Sequence, residues 1–321
     1  MIIVPEKEIS ALMGRKESYE AVEQVFAAMA AGDAYNFPVV REAIGHADAL
    51  YGFKGGFDRS GMTLGLKAGG YWPNNLETHR LINHQSTVFL FDPNTGRVKA
   101  VVGGNLLTAL RTAAASSVSI NHLARKDAKV IGMVGAGHQA TFQLRAALEQ
   151  RNFEKVIGWN LHPEMLPNLE KVANEAGLPF EAVELPGLTE ADVIITITSS
   201  FAPSLMSEHV SDGTHVACMG TDTVGKQEVG ADLVKRASVF TDEVAQSVTL
   251  GECQHAVAAG TKAEADIRQI GEVINGTHQG RQSNDEVTLF DGTGVGLQDL
   301  AVASAVVDLA VEQGIAIQVD F

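Results

Sequence analysis

Val130-Ile131-Gly132-Met133-Val134-Gly135-Ala136-Gly137-His138-Gln139-Ala140 is the stretch whose reading decides the fold. An apolar strand runs into G-x-G-x-x-A and then into a helix, the context that turns a weak glycine motif into a dinucleotide-binding one. Gly135 makes the tight turn, Gly137 lets backbone approach a pyrophosphate, and Ala140 allows close packing of helix on strand. The phosphates then sit at the helix N-terminus, with Ala136, His138 and Gln139 as further loop contacts. The second strand ends at Trp159-Asn160, and Asn160 lies where an acid usually takes the ribose 2′-hydroxyl. Asparagine can bond that hydroxyl without repelling a 2′-phosphate. No Arg or Lys follows, only Leu161 and His162, so a phosphate clamp is missing too. NAD(H) is favoured over NADP(H), with weak discrimination expected.

Outward from the motif, strand-like and helix-like stretches alternate: 128–134, 155–160, 180–185, 192–198, 214–220 and 238–242. Several are continuous apolar runs, as strands buried on both faces require. This part reads as α/β, a Rossmann-type doubly wound parallel sheet. The first hundred residues differ. Val22, Val25, Phe26 and Met29 recur at helical period over Lys16–Gly32. Short β-like stretches follow at Ala49–Phe53, Thr63–Lys67, Thr87–Phe91 and Arg97–Val102, the last two joined by Asp92-Pro93-Asn94-Thr95-Gly96 as a hairpin. Leu106–Ala124 is a small-residue helix whose one charge short of its ends is Arg111, and Leu297–Val311 is an apolar helix after a glycine-rich turn. The expected division is an α+β domain, 1–118 with 292–321, and a dinucleotide domain, 119–291.

Twenty-four Lys and Arg against 39 Asp and Glu leave a net charge of −15 in 321 residues. That field repels polyanions, which speaks against nucleic acid and anionic lipid as partners. Small anions can still bind where the few cations gather. Two cysteines, Cys218 and Cys253, build neither a disulfide framework nor a metal motif. Glu6, Lys7 and Glu8 interrupt the start where a secretion signal needs its apolar run, and no stretch is long enough to span a membrane. A cytoplasmic protein is expected. His79 and His84 lack carboxylate or thiol partners at ligand spacing, so no metal site is expected.

Four further segments stand out from ordinary scaffold: Pro38–Arg41, GLKAGG with Lys67, LTALRTAA with Arg111, and HVACMGTDTVGKQEVGADLV with Asp222. Together with GAGHQA and the late GTGVGLQDLAVA, LTALRTAAASS and MGTDTVGKQEV resemble the ornithine cyclodeaminase and μ-crystallin family along nearly the whole chain. The resemblance implies hydride exchange between nicotinamide and a C=N bond. It also implies that the N-terminal region and the last helix form a substrate-binding and dimerisation domain of a homodimer. Lys67 and Arg111 match positions that grip a substrate α-carboxylate, and Arg41 matches a third cationic position. A bidentate guanidinium and a point-charge ammonium can hold a carboxylate in one pose. Asp222 matches the aspartate that handles the amine proton, with Lys67 beside it as a catalytic candidate. Arg111, Thr112, Met219, Gly220 and Val295 match cofactor-side positions. Thr198, Ser199 and Ser200 end a strand and either line the cofactor or cap a helix.

The cyclodeaminase branch carries a glutamate upstream of the motif lysine, but Tyr51–Lys67 contains none. By spacing, its place falls near Lys54. A cation there suits a second carboxylate on the substrate, as in iminosuccinate reduced to L-aspartate, or is a solvated strand residue. Alternatives are an alanine dehydrogenase or ketimine reductase, an ornithine cyclodeaminase, and a μ-crystallin-like ligand-binding protein.

Overall fold

In the computed structural model, which describes residues 1–321, the chain divides into two units: Met1–Arg111 with Val295–Phe321, and Thr112–Gly294. One division falls within the long helix Asn105–Leu123, the other at the glycine-rich turn before the last helix.

The first unit is built on a largely antiparallel sheet. Its strands are β1 (Ile2–Val4), β2 (Ala34–Asn36), β3 (Val40–Ala43), β4 (Leu50–Asp58), β5 (Thr63–Tyr71), β6 (His84–Phe91) and β7 (Val98–Gly103). With the terminal pair Ile317–Gln318 at one edge, the order is 317–318, β1, β7, β6, β5, β4, β2, and β3 pairs the first half of β4. β4 and β5 run further than their patterns predict, because Gly55-Gly56 and Gly69-Gly70 continue the strands where glycine reads as a break. The tertiary reason is close approach. A Cβ on Gly56 would lie 2.9 Å from the Leu297 side chain, and one on Gly65 would lie 3.0 Å from that of Leu300. The helix Gly296–Glu312 can therefore lie on β4 and β5, burying Leu297, Leu300, Val306 and Val307. The helix Arg15–Ala30 packs against it through Val22, Val25, Phe26 and Met29. The β6–β7 turn forms as its residues dictate, with the Asp92 carboxylate accepting the Asn94 and Thr95 amides and Gly96 at a φ of +72°.

The second unit is an eight-stranded, wholly parallel sheet. Its strands are β8 (Val130–Val134), β9 (Lys155–Trp159), β10 (Phe180–Ala182), β11 (Val193–Thr196), β12 (His215–Cys218), β13 (Ser238–Thr241), β14 (Ile267–Gln269) and β15 (Thr288–Asp291). The order is β10-β9-β8-β11-β12-β15-β13-β14. Its first six members reproduce the 3-2-1-4-5-6 order of the doubly wound Rossmann fold, with the reversal between β8 and β11. The expected fold class therefore stands, with one correction. The sixth strand is β15, not the stretch at 238–242, which moves one place outward as β13. β15 is four buried residues inserted between β12 and β13. No helix of the chain is long and apolar enough to cross a membrane.

Candidate active site

In the second unit the glycine loop adopts the geometry its residues predict. Gly135 has a φ of +109°, and a Cβ there would lie 2.6 Å from the Ile197 carbonyl oxygen, so only glycine fits. Gly137 is extended and caps the helix His138–Ala147 without a side chain. A Cβ on it would meet nothing within 4 Å. The helix thus opens onto free space, the setting a diphosphate requires. Ala140 is fully buried, Gln139 half-buried, and the exposed His138 ring stands edge-on to Phe142 at 5.2 Å. Asn160, directly after β9, bonds the same loop. Its Oδ1 accepts the Ala136 amide at 3.2 Å and its Nδ2 donates to the His162 carbonyl at 2.8 Å, so the side chain braces the loop.

Beyond β11 and β12, buried acids organise the loops. Glu228 accepts hydrogen bonds from Thr196 Oγ1 (2.7 Å), the Thr198 amide (2.6 Å) and hydroxyl (2.8 Å), and the Gly220 amide (2.8 Å). Glu252 accepts the Glu228 and Val229 amides at 2.9 and 2.8 Å and the Thr221 hydroxyl. Burial pushes both carboxyls up, and for Glu252 the neighbouring Glu228 adds to it. The Thr198 hydroxyl is thereby committed to Glu228, and Ser200 Oγ bonds the Ala202 carbonyl. No helix follows this strand directly, so the capping alternative falls, and of the three hydroxyl residues Ser199 is the exposed one.

Asp222 is partly exposed in the same loop, its Oδ1 2.9 Å from Lys226 Nζ, while Met219 before it is buried. Asp242, which reads as a loop charge in the sequence, is buried. Its carboxylate accepts the Glu243, Thr293 and Gly294 amides at 2.9, 3.1 and 2.9 Å. With the Thr293 hydroxyl at 2.6 Å, four donors in one place hold the carboxylate. Cys218 and Cys253 are buried free thiols that burial pushes up, unsuited to nucleophilic work.

In the first unit Lys67 and Arg111 come together on a residue the motif reading did not weigh, Asp299. Lys67 Nζ lies 2.9 Å from both Asp299 oxygens, Arg111 Nε lies 3.0 Å from Oδ1, and Arg111 Nη1 donates to Gln298 Oε1 at 2.9 Å. All three charged groups are buried, with Lys67 and Arg111 each 7% exposed. Desolvation draws the Lys67 ammonium down to about 7, and Arg111 and Lys54 add to the fall while Asp299 opposes it. Burial alone would raise Asp299, but Arg111 and then Lys67 outweigh it and hold the carboxyl below its usual range. Two cations share one carboxylate, so the cluster keeps a positive excess inside an acidic chain. The sequence did carry a sign of Asp299: an acid set among Leu297, Leu300 and Val302 at the start of an apolar helix needs a partner once buried.

Lys54 stands directly opposite Lys67 in the β4–β5 register, and Arg41, exposed on β3, stands opposite Gly52. Thr112, the first residue of the second unit, is buried, as is Val295 at the start of the last helix. No group of three or more His, Cys, Asp and Glu side chains is placed to hold a metal ion.

The sequence profile of the ornithine cyclodeaminase/mu-crystallin family matches residues 3–314. The chain belongs to this family. Among its members, the iminosuccinate reductase of Paracoccus denitrificans (strain Pd 1222) is 67% identical over 321 residues, all of both chains. The crystal structure of that reductase in complex with NAD+ superposes with a TM-score of 0.97, covering 100% of this chain and 99% of the other. An archaeal alanine dehydrogenase dimer with bound NAD is 30% identical, with a TM-score of 0.94 over 100% of this chain and 99% of its own. The family resemblance read from LTALRTAAASS and MGTDTVGKQEV is thus borne out.

Proposed function

We propose that the chain is an NAD(H)-dependent imine reductase that converts iminosuccinate to L-aspartate. The observation that carries this reading is the full-length 67% identity to the Paracoccus iminosuccinate reductase. The geometry supports the roles of individual residues. NADH, when bound, supplies the hydride that adds to the imine carbon. Gly135, Ala136, Gly137, His138 and Gln139 hold its diphosphate, and Asn160 keeps their loop in shape. Arg111, Thr112, Thr198, Ser199, Ser200, Met219, Gly220 and Val295 make the remaining cofactor contacts. Of these, Thr198 and Gly220 are fixed by Glu228. The absence of a cation directly after Asn160 favours NAD(H) over NADP(H).

Lys67 and Arg111 grip the α-carboxylate, and Asp299 keeps both side chains in place before substrate arrives, so little order is lost on binding. Asp222 faces the imine nitrogen and stabilises its protonated form, the better hydride acceptor. The proton stays on nitrogen as the C=N bond becomes C–N. Arg41 and Lys54 lie toward the second carboxylate. The chain works as a homodimer. Tyr35, Phe37, Val40 and Phe53 give the first unit an exposed apolar surface on β2–β4 for a second copy to cover, in keeping with the dimeric alanine dehydrogenase.

Purified protein mixed with NADH, ammonia and oxaloacetate, which condense to iminosuccinate, is expected to oxidise NADH, and to do so faster than with pyruvate and ammonia. No oxidation with any imine would remove the enzyme reading. Ornithine turned to proline without net change in NADH would restore the cyclodeaminase.

A further inference from the structure

In an antiparallel sheet, residues paired in register point to the same face, and the next residues on that face lie two positions away. One row on the Lys67 face is Lys54, Lys67 and Val88. The next is Arg41, Gly52, Gly69 and Ser86, and the one after is Leu50, Tyr71 and His84. In the middle row the two central positions are both glycine. A Cβ on Gly69 would strike the Gln85 carbonyl oxygen at 2.5 Å, and one on Gly52 the Val40 carbonyl oxygen at 2.1 Å, so no other residue fits there. The result is a floor without side chains. Arg41 and Ser86 end the row, three strand spacings or roughly 14 Å apart at the backbone. Lys54 and Lys67 bound it on one side and His84 on the other.

His84 has an unusual place in this frame. It is half-buried, and its ring makes no hydrogen bond within the chain. Burial first, then Lys67, Arg111 and Arg41, lower it to about 4, against the opposing pull of Asp299. The ring is therefore neutral at physiological pH. It offers an N–H donor without adding charge to a cluster that already has more cations than acids. A carboxylate is the ligand such a rim recognises: guanidinium on one side, neutral imidazole on the other, ammonium groups along the edge.

We infer that His84, together with Arg41, binds the second carboxylate of the substrate and so sets the preference for a dicarboxylic over a monocarboxylic imine. This rests on the proposed reduction of iminosuccinate and adds a residue that neither motif nor spacing pointed to. The α-carboxylate stays with Lys67 and Arg111, and the glycine floor leaves room for the rest of the diacid. Ser86 Oγ, 3.4 Å from Thr108 Oγ1, which in turn takes a bond from Lys67 Nζ at 3.3 Å, links the two ends of the site.

The test compares the wild type with His84→Ala and His84→Asn at saturating NADH. The two substrates are the imines formed from oxaloacetate and from pyruvate with ammonia, and NADH binding is followed separately by fluorescence. His84→Ala should lower kcat/KM for the dicarboxylic imine by about tenfold to a hundredfold, mostly through KM, as loss of a hydrogen bond to a charged group does. Turnover of the monocarboxylic imine and NADH affinity should stay unchanged. His84→Asn, which keeps an N–H donor, should recover part of the loss. Equal losses on both substrates, or none, would overturn the role of His84. A wild type without preference for the dicarboxylic imine would instead overturn the functional reading on which it rests.

Discussion

The first unit buries two cations, Lys67 and Arg111, around one carboxylate, whereas the second buries the carboxyl groups of Glu228, Glu252, Asp242 and Asp291 among backbone amides and hydroxyls. The second unit's acids are satisfied largely by backbone amides: Thr198, Gly220, Glu228, Val229, Thr293, Gly294 and Cys253 all donate to them. Such an acid fixes the path of a loop, because each amide it holds removes a backbone choice. In the buried cluster of the first unit the numbers do not balance, two cations meeting one carboxylate. A buried cation without its own counter-ion is costly unless a ligand supplies one. Buried charge in the second unit shapes backbone, and in the first, under the proposed function, it receives the substrate carboxylate.

The largest effect should come from Asp299→Asn. Asp299 is the group that raises Lys67, so its removal lowers the lysine below about 7 and leaves it uncharged at neutral pH. Loss of one partner of a buried charge pair costs about 2–5 kcal/mol, so kcat/KM should fall by a hundredfold or so. The sign is checkable. A base whose pKa falls loses its proton at lower pH. The wild-type kcat/KM should therefore decline as pH rises past about 7, and the variant's decline should begin at a lower pH. A variant with the wild-type pH profile would remove Lys67 from the carboxylate site.

Next in size is a contrast between two glycines of one loop. Gly137→Val places a side chain in space that the structure leaves open, so NADH binding should be lost while thermal stability is kept. Gly135→Ala should do the reverse in kind. At a φ of +109° and with Ile197 in the way, it should destabilise the unit by about 1–3 kcal/mol. If both variants lost stability alike, the open space at Gly137 would have no functional meaning.

The smallest effect concerns the acids. Burial raises Glu252 from 4.5 to about 8, so the folded state binds more protons than the unfolded state between those values. The stability this brings is fully present below about 4.5 and is lost as pH rises through about 8. Glu252→Gln keeps an acceptor for the Glu228 and Val229 amides and removes the titration. Its melting temperature relative to wild type should therefore climb from acid to alkaline pH, by about 2–4 °C for each kcal/mol recovered. A constant offset across pH would mean that Glu252 is not the titrating group.

What could be read from the sequence follows the range of the interactions. Gly135, Gly137 and Ala140 were legible because turn, cap and packing contact all fall within six residues. Arg111 and Lys67 were legible as motif residues, but their shared partner is 188 and 232 positions away, and its local setting does not say which cations it meets. Nothing near Asp242 in the sequence announces its burial for the same reason, since the Thr293 and Gly294 amides it holds lie 51 and 52 residues on. The strand Thr288–Asp291, no shorter than β11, β12 or β13, went unread in the sequence, and its pairing with β12 and β13 is what makes it a strand. His84 was passed over as a histidine without metal-ligand partners at ligand spacing, a reading that says nothing about a carboxylate.

By itself the sequence determined the doubly wound class, the place and geometry of the glycine loop, the family, and the cations available to an acidic chain. These depend on short-range backbone geometry and on residue identity. Only the tertiary structure decided which charges meet: that Asp299 holds Lys67 and Arg111, that Glu228 and Glu252 tie the Asp222 loop, and that Gly52 and Gly69 clear a floor between Arg41 and His84. Burial and register set those pairings, and both are properties of chain segments brought together from far apart.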